Sequence, residues 1–161
     1  MNFCLSKCRN LHITCLPLPY KTKNMGLKDE IILININGAD RPGVTAALTE
    51  ILAKNNAVIL DIGQADIHNN LSLGILFQSC GGNSGDILKE LLFKSYELDV
   101  NIRFNPITEE EYTKWVNMQG KNRYIITILG RMLTAKQIAG VTRIVADQGM
   151  NIDDIKRLTG R

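Results

Sequence analysis

The sequence lacks the features that most directly mark membrane-spanning and nucleic-acid-binding proteins. No apolar stretch approaches the roughly 20 residues that a membrane-spanning helix needs. The formal net charge is only +3 over 161 residues, which is too small for the basic surface that binds nucleic acid. Much of that charge lies in residues 1–28, where the basic residues meet no acidic one: Lys7, Arg9, Lys21, Lys23 and Lys28. We therefore expect a cytoplasmic protein that binds neither a membrane nor nucleic acid.

Cysteine is scarce and poorly placed for metal binding. Cys4, Cys8 and Cys15 lie near His12, but their spacing matches none of the short paired spacings of structural zinc sites. Cys80 stands alone at the end of a predicted strand, which is typical of a small buried residue. We expect no metal ion and no cofactor to be held by this chain.

The first residues do not form a secretory signal. Their apolar part, Leu11–Tyr20, is interrupted by Pro17 and Pro19, and no small-residue cleavage site follows it. The sequence that begins at Met25 has the character of a natural start. We expect residues 1–24 to be a disordered or non-native leader without a folded role.

Apolar periodicity predicts one complete domain in residues 26–106. Its elements are a β-branched central strand, an amphipathic helix, a half-exposed strand, a third strand, a second helix and a fourth strand. The first strand includes Ile31–Ile36, the first helix is Val44–Ala53, and the second strand starts at Val58. The turn His68–Asn70 leads into the third strand, Ser84 caps the second helix, and the fourth strand is Val100–Phe104. The order β-α-β-β-α-β predicts an α+β, ferredoxin-like fold, with an antiparallel four-stranded sheet and both helices on one face.

The remaining residues form a linker and a partial repeat. Residues 107–122 are a predicted linker, and the spacing of Thr108 and Glu111 favours a capping box that starts a short helix there. From residue 123 the strand-helix-strand pattern restarts, and Ala135–Ile155 aligns without gaps on Pro42–Ile62. The repeat, residues 123–161, reaches only its second strand, so we expect a truncated second domain. Its apolar faces would need cover from a second copy or from a missing C-terminal part.

The corner between the first strand and the first helix, Asn37–Val44, is the most informative segment for function. Pro42 presets the backbone angle of a first helical turn, and Gly43 allows a ligand to approach the backbone closely. The start of a helix also leaves several N–H groups without internal partners. Such a corner can hold a small anion or a carboxylate. The alternative is that Asp40 and Pro42 only start the helix.

The two corners carry a family resemblance. Asp40–Gly43, Leu129–Ala135 and Gly149–Leu158 resemble the tandem ACT region that precedes the catalytic domain of bacterial phosphoserine phosphatases, in the haloacid-dehalogenase superfamily. The resemblance implies a regulatory module of L-serine biosynthesis, a homodimer, and a small amino acid, serine, as ligand. Gly43 and the free amides would hold the ligand's carboxylate, and Asp40 or a neighbouring subunit's strand would meet its ammonium. The candidate ligand-binding residues are Asn37, Gly38, Asp40, Arg41, Pro42, Gly43, Val44, Asp61 and Gln64.

The chain lacks the catalytic motif of those phosphatases. Their Asp-x-Asp-x-Thr motif supplies the nucleophile and the magnesium ligands, and no such motif occurs here. Asp153 and Asp154 are adjacent, so they would point to opposite faces of a strand. We therefore expect no catalytic residue in this chain, and magnesium only in a catalytic domain that these residues do not include. Whether the protein is itself an enzyme is left open.

Proteins with other functions share the same topology. RNA-recognition modules display aromatic residues on their central strands, where this sequence has Ile, Leu and Asn. An acylphosphatase would have only Arg41 and Asn37 as candidates for its phosphate loop and catalytic asparagine. The serious alternative is an ACT regulatory domain of another protein of amino-acid or one-carbon metabolism, such as a glycine-cleavage regulator or a formyltetrahydrofolate deformylase.

Overall fold

The structure, a computed structural model, describes residues 29–118 and 124–156. These residues fall into two compact units, 29–118 and 124–156. The predicted leader, residues 1–24, lies outside the described residues.

The first unit confirms the predicted order of elements. A single four-stranded antiparallel sheet has the strand order β2-β3-β1-β4. A further helix, α3, follows the last strand. The elements are β1 (Glu30–Ala39), α1 (Val44–Lys54), β2 (Val58–Ile67), β3 (Asn70–Ser79), α2 (Ser84–Glu97), β4 (Val100–Ile107) and α3 (Glu109–Met118).

The core lies between the sheet and the two helices α1 and α2. Alternate residues of β1 and β3 are buried together with one stripe of each helix, because strand side chains alternate between the two faces of a sheet. The largest buried side chain is Phe77 of β3. The core comprises Ile32, Ile34, Ile36, Val44, Leu48, Leu52, Leu71, Leu73, Ile75, Phe77, Ile87, Leu91 and Val100.

The edge strand β2 is more exposed than its alternation predicts. Leu60 is its one half-buried residue, and the register against β3 shifts between Ile59 and Asp61. Such a bulge bends and twists an edge strand. The sequence predicts a half-exposed strand because local alternation carries no information about which strand ends up at the edge.

A tight turn joins β2 to β3. His68 and Asn69 both have positive φ, near 56° and 59°, as the two-residue hairpin loop between β2 and β3 requires.

The second helix begins at Ser84, but its N-cap is Asn83, without a side-chain cap hydrogen bond. The prediction that Ser84 caps this helix is therefore wrong, because the helix starts one residue earlier than the composition indicates.

The predicted capping box of the linker is confirmed. The Glu111 amide donates to the Thr108 hydroxyl oxygen at 3.2 Å, and the Thr108 amide donates to the Glu111 carboxylate at 2.9 Å. These hydrogen bonds, first the one from the Thr108 amide and then the one from its hydroxyl, lower the pKa of Glu111. The helix α3 occupies Glu109–Met118 of the predicted linker.

The second unit has its helix but no sheet. Helix α4 spans Ala135–Asp147. The predicted strands on either side, at Tyr124–Leu129 and Ile152–Ile155, take part in no ladder among the described residues. In the order β2-β3-β1-β4, the first and second strands do not touch each other, and both pair with the third. Residues 124–156 contain no counterpart of β3, the strand with which both would pair in this order.

Candidate functional site

The first corner ends in an unusual helix start. Gly43, the N-cap of α1, has φ near 95° and ψ near −10°, in the left-handed region that favours glycine. No side chain caps this helix. A Cβ added to Gly43 would meet no atom within 4 Å, so the space beside the helix start is open. The backbone of the corner is therefore accessible to a small ligand.

At the helix start, the amides of Gly43, Thr45 and Ala46 are left without a protein acceptor in the described part of the chain. The neighbouring amides are used, since Val44 donates to the Arg41 carbonyl oxygen at 3.3 Å and Ala47 to that of Gly43 at 2.9 Å. Free N–H groups at the positive end of the helix dipole form a binding site for an anion or a carboxylate.

Polar contacts tie the corner to the elements around it. The Thr45 hydroxyl donates to Gln64 Oε1 of β2 at 2.8 Å. Arg41 forms an exposed ion pair with Asp99, in the turn between α2 and β4, at 3.5 Å. The Asp40 amide donates to the Asn69 carbonyl oxygen of the β2–β3 hairpin at 2.9 Å. The corner is thus supported from two sides while its N–H groups stay open.

The structure brings only some of the candidate residues to this corner. Asp40, Arg41, Pro42 and Gly43 form it, and Gln64 reaches it through Thr45. Ligand binding by these residues stays a prediction.

Asn37 and Asp61 lie on the other face of the sheet. Asp61 is opposite Leu76, which alternates with the buried residues of β3. Asn37 is likewise opposite Ser72. Residues directly opposite in a ladder share one face, so both side chains belong to the face that carries no helix. The Asp61 carboxylate also accepts a hydrogen bond from the neighbouring Ile62 amide at 2.9 Å.

Gly38 and Val44 have packing roles in the structure. A Cβ at Gly38 would lie 2.8 Å from Val100 Cγ1 and 3.1 Å from Val100 Cα. Gly38 therefore lets β1 and β4 approach closely at the end of the sheet. Val44 has its side chain in the core and its amide bonded to Arg41. The predicted ligand role of these two residues stays untested.

Three residues of the corner were missed by sequence reasoning. Thr45 and Ala46 supply free amides, and their positions in the first helical turn were the available signal. Asp99 pairs with Arg41 although it lies 58 residues further along the chain. Its positive φ of 52° marks a tight turn, but no local pattern connects it with the corner.

The equivalent corner of the second unit is closed by its own side chains. Thr134 is the N-cap of α4, and its side chain accepts from the Gln137 amide while the Gln137 side chain accepts from the Thr134 amide. This capping box bonds the amides of the N-cap residue and of the third helical residue, whose counterparts at α1, the amides of Gly43 and Ala46, remain open. The sequence of this corner differs from Asp40-Arg41-Pro42, and in the structure the difference corresponds to a helix start that is capped by its own side chains.

The described residues show neither a metal cluster nor a membrane helix. In residues 29–118 and 124–156, no three His, Cys, Asp or Glu side chains come together in a group that could hold a metal ion. None of the helices there combines the length and the apolar character needed to cross a bilayer.

Comparison with known proteins gives consistent results for both units. The ACT domain family matches residues 30–105 and, through a second profile, residues 123–160. The chain is 34% identical over 136 residues to phosphoserine phosphatase SerB2 of Mycobacterium tuberculosis, covering 80% of this chain and 31% of that protein. It is 29% identical over 128 residues to the phosphoserine phosphatase of Streptomyces coelicolor, covering 79% of this chain and 30% of that protein. The chain thus spans less than a third of the length of these relatives.

A solved structure supports the same fold. The chain superimposes on a protein described as a proposed glycine cleavage system transcriptional repressor with a TM-score of 0.52, covering 75% of this chain and 67% of that one. At 12% sequence identity this likeness concerns the fold alone. With two ACT domain matches and its similarity to phosphoserine phosphatases over about 80% of its length, the chain belongs to the ACT domain family, as an ACT region of the phosphoserine phosphatase type.

Proposed function

We propose that this chain is the amino-acid-binding regulatory module of a phosphoserine phosphatase in L-serine biosynthesis, and that serine is its ligand. The ligand's carboxylate would bind at the amides of Gly43, Thr45 and Ala46. The exposed carboxylate of Asp40, or a strand of a second subunit, would contact its ammonium group. The homodimer is part of the same proposal.

The single observation that carries this proposal is the contrast between the two corners. Both helices follow the strand-to-helix corner of a repeated pattern, yet α4 has a complete capping box and α1 has no side-chain cap. A helix start normally gains about 1 kcal/mol from a capping side chain. An uncapped start that also has open space beside it is therefore well suited to a carboxylate from outside the chain.

Serine binding would act on the rest of the protein by shifting the equilibrium between two conformational states. A ligand changes a conformational equilibrium only by its difference in affinity for the two states. The hydrogen bond between Thr45 and Gln64 and the ion pair between Arg41 and Asp99 connect the corner to β2 and to the α2–β4 turn. These contacts are the route by which an occupied corner would alter the surfaces of the first unit. The coupling would be reciprocal between the two sites.

The test is calorimetric titration of the protein with serine, glycine and other small amino acids. Ala46→Pro removes one of the free amides, in a first helical turn where proline is tolerated. A hydrogen bond to a charged group contributes about 1.5–3 kcal/mol, so we expect the affinity for serine to fall about tenfold or more.

The matched control is Ala135→Pro, at the first position of the capped helix α4. It also introduces proline into the first turn of a helix but far from the proposed site in sequence, so the serine affinity should stay unchanged. The absence of heat with every amino acid would refute the receptor function. Equal affinities of Ala46→Pro and the wild type would refute the proposed position of the carboxylate.

A further inference from the structure

The second unit has two segments whose backbone forms no hydrogen bond. Within the described part of the chain, residues 124–129 and residues 152–155 lie outside any helix or strand and neither donate nor accept a backbone hydrogen bond. Backbone N–H and C=O groups in this state are satisfied when another strand forms a ladder with them. Both segments are therefore available for strand pairing.

The counterparts of these two segments in the first unit pair with one and the same strand. The gapless repeat aligns residues 124–129 with residues 31–36 of β1, and residues 152–155 with residues 59–62 of β2. The strand β3 lies between β1 and β2 and forms an antiparallel ladder with each of them. We call the corresponding place in the second unit the third-strand position.

Side chains that are buried beside β3 in the first unit are exposed in the second. Ile32 and Ile36 of β1 are 2% and 0% exposed, whereas their counterparts Ile125 and Leu129 are 62% and 71% exposed. Burial of apolar side chains is favourable in water. The third-strand position can therefore gain apolar contacts as well as backbone hydrogen bonds when a strand binds there.

Helix α4 shows the same incomplete cover. Its inner stripe includes Val141 and Val145, which the repeat aligns with Leu48 and Leu52 of α1. Leu48 and Leu52 are both fully buried in a core that they share with the side chains of β3, but Val141 is only half-buried. A strand at the third-strand position would thus cover the helix stripe together with the two unpaired segments.

We infer that the second unit binds an extended strand of another polypeptide at the third-strand position, antiparallel to both segments. The inner face of this strand would carry apolar side chains at alternate positions and no charge, because it would lie against Ile125, Leu129 and the stripe of α4. The strand β3 has this chemistry, since its alternate residues from Leu71 to Phe77 are all apolar and buried. The inference goes beyond the proposed receptor function and does not depend on serine binding.

The geometry of this position favours an unpaired strand over the edge of a folded sheet. A central strand forms hydrogen bonds along both of its edges, as β3 does with β1 and β2. The edge strands β2 and β4 of a second copy already use one edge within their own sheet, so each could pair with only one of the two segments. A helix satisfies its backbone groups internally. The occupant is therefore a segment that has no ladder of its own before it binds.

A synthetic peptide with the sequence of β3, residues 70–79, is the probe, with added terminal lysines for solubility. In calorimetric titration we expect one peptide to bind per full chain. Hydrogen exchange followed by NMR should slow at least about tenfold at the amides of residues 124–129 and 152–155 when the peptide is bound. The same peptide with Ile75→Pro lacks one ladder amide and should bind at least about tenfold more weakly.

The decisive variant of the chain is Ile125→Lys, which places a charge on the inner face of the third-strand position. It should weaken peptide binding at least about tenfold. Ile125 is exposed, so the substitution leaves the core of the free protein intact. The matched control is Ile62→Lys, which changes another exposed isoleucine, on the edge strand β2 of the first unit, and should bind the peptide like the wild type.

The inference is refuted if the peptide does not bind, or if it protects the amides of β2 or β4 instead. It is also refuted if Ile62→Lys weakens binding as much as Ile125→Lys does. Protection of residues 124–129 in the chain without peptide would overturn it as well, since a second copy would then be the occupant. Serine binding is titrated separately, so its failure would leave this inference standing.

Discussion

Replacement of Gly38 by alanine tests whether this residue is required for packing. The added Cβ would lie 2.8 Å from Val100 Cγ1 and 3.1 Å from both Cα and Cβ of Val100. Rotation of the valine side chain would relieve the first contact but not the contact with Cα. The strands β1 and β4 would therefore have to separate at this end of the sheet.

The expected loss of stability follows from this geometry. Overpacking of a well-packed site costs about 1–3 kcal/mol, and the gain from replacing glycine in a strand offsets about 0.5–1 kcal/mol of it. We expect a net destabilisation of about 1–2 kcal/mol, which lowers the melting temperature of a unit of this size by roughly 4–16 °C. Thermal and urea unfolding followed by far-UV circular dichroism would measure it.

The control for this prediction is Gly63→Ala, in the edge strand β2. A Cβ at Gly63 would meet no atom within 4 Å, so this variant should be as stable as the wild type or gain up to about 0.5–1 kcal/mol. Equal stabilities of the two variants would refute the packing argument. If Gly38→Ala instead kept its stability and lost serine affinity, Gly38 would be a ligand residue as the sequence predicts.

Two further predictions concern the helix caps. The folded-state pKa of Glu111 is lowered mainly by the amide and the hydroxyl of Thr108, so the α3 cap is complete above the ordinary glutamate pKa and is lost as the pH falls through the lowered one. An NMR titration of the Glu111 carboxyl should give a midpoint below that of an unstructured peptide, and a midpoint at or above it would contradict the hydrogen bonds of the cap. Thr134→Ala removes the capping box of α4 and should cost about 1 kcal/mol of helix stability. Hydrogen exchange of the Gln137 amide should accelerate about fivefold, and unchanged exchange would show that the cap contributes nothing.

The local sequence pattern was sufficient to predict most secondary-structure elements of the first unit. The elements around Ile31–Ile36 and Val44–Ala53 were predicted correctly because each apolar period reports one buried face. Two local features were also predicted from the sequence, the turn at His68 and Asn69 and the capping box of Thr108 and Glu111. Each depends only on residues close together in the chain.

The second unit shows where local pattern fails. The run Tyr124–Leu129 has the composition of a buried strand, but a strand exists only when a partner supplies the ladder. In the order β2-β3-β1-β4 that partner is the third strand, which has no counterpart among residues 124–156. The sequence therefore indicates the tendency of this run to form a strand, but that tendency alone does not provide the strand with which the run would pair.

The sequence by itself determined the order of elements, the ACT resemblance and the presence of a strand-to-helix corner at Asp40–Gly43, because these depend on periodicity and on short motifs. Only the tertiary structure decided which polar groups meet there. It places Gln64 against Thr45 but Asp61 on the opposite face, since a strand sends successive side chains to opposite sides and these two residues are three positions apart. It also leaves the amides of Gly43 and Ala46 at the start of α1 open while their counterparts at the start of α4 are bonded in a capping box, and that difference depends on side-chain hydrogen bonds that composition alone does not reveal.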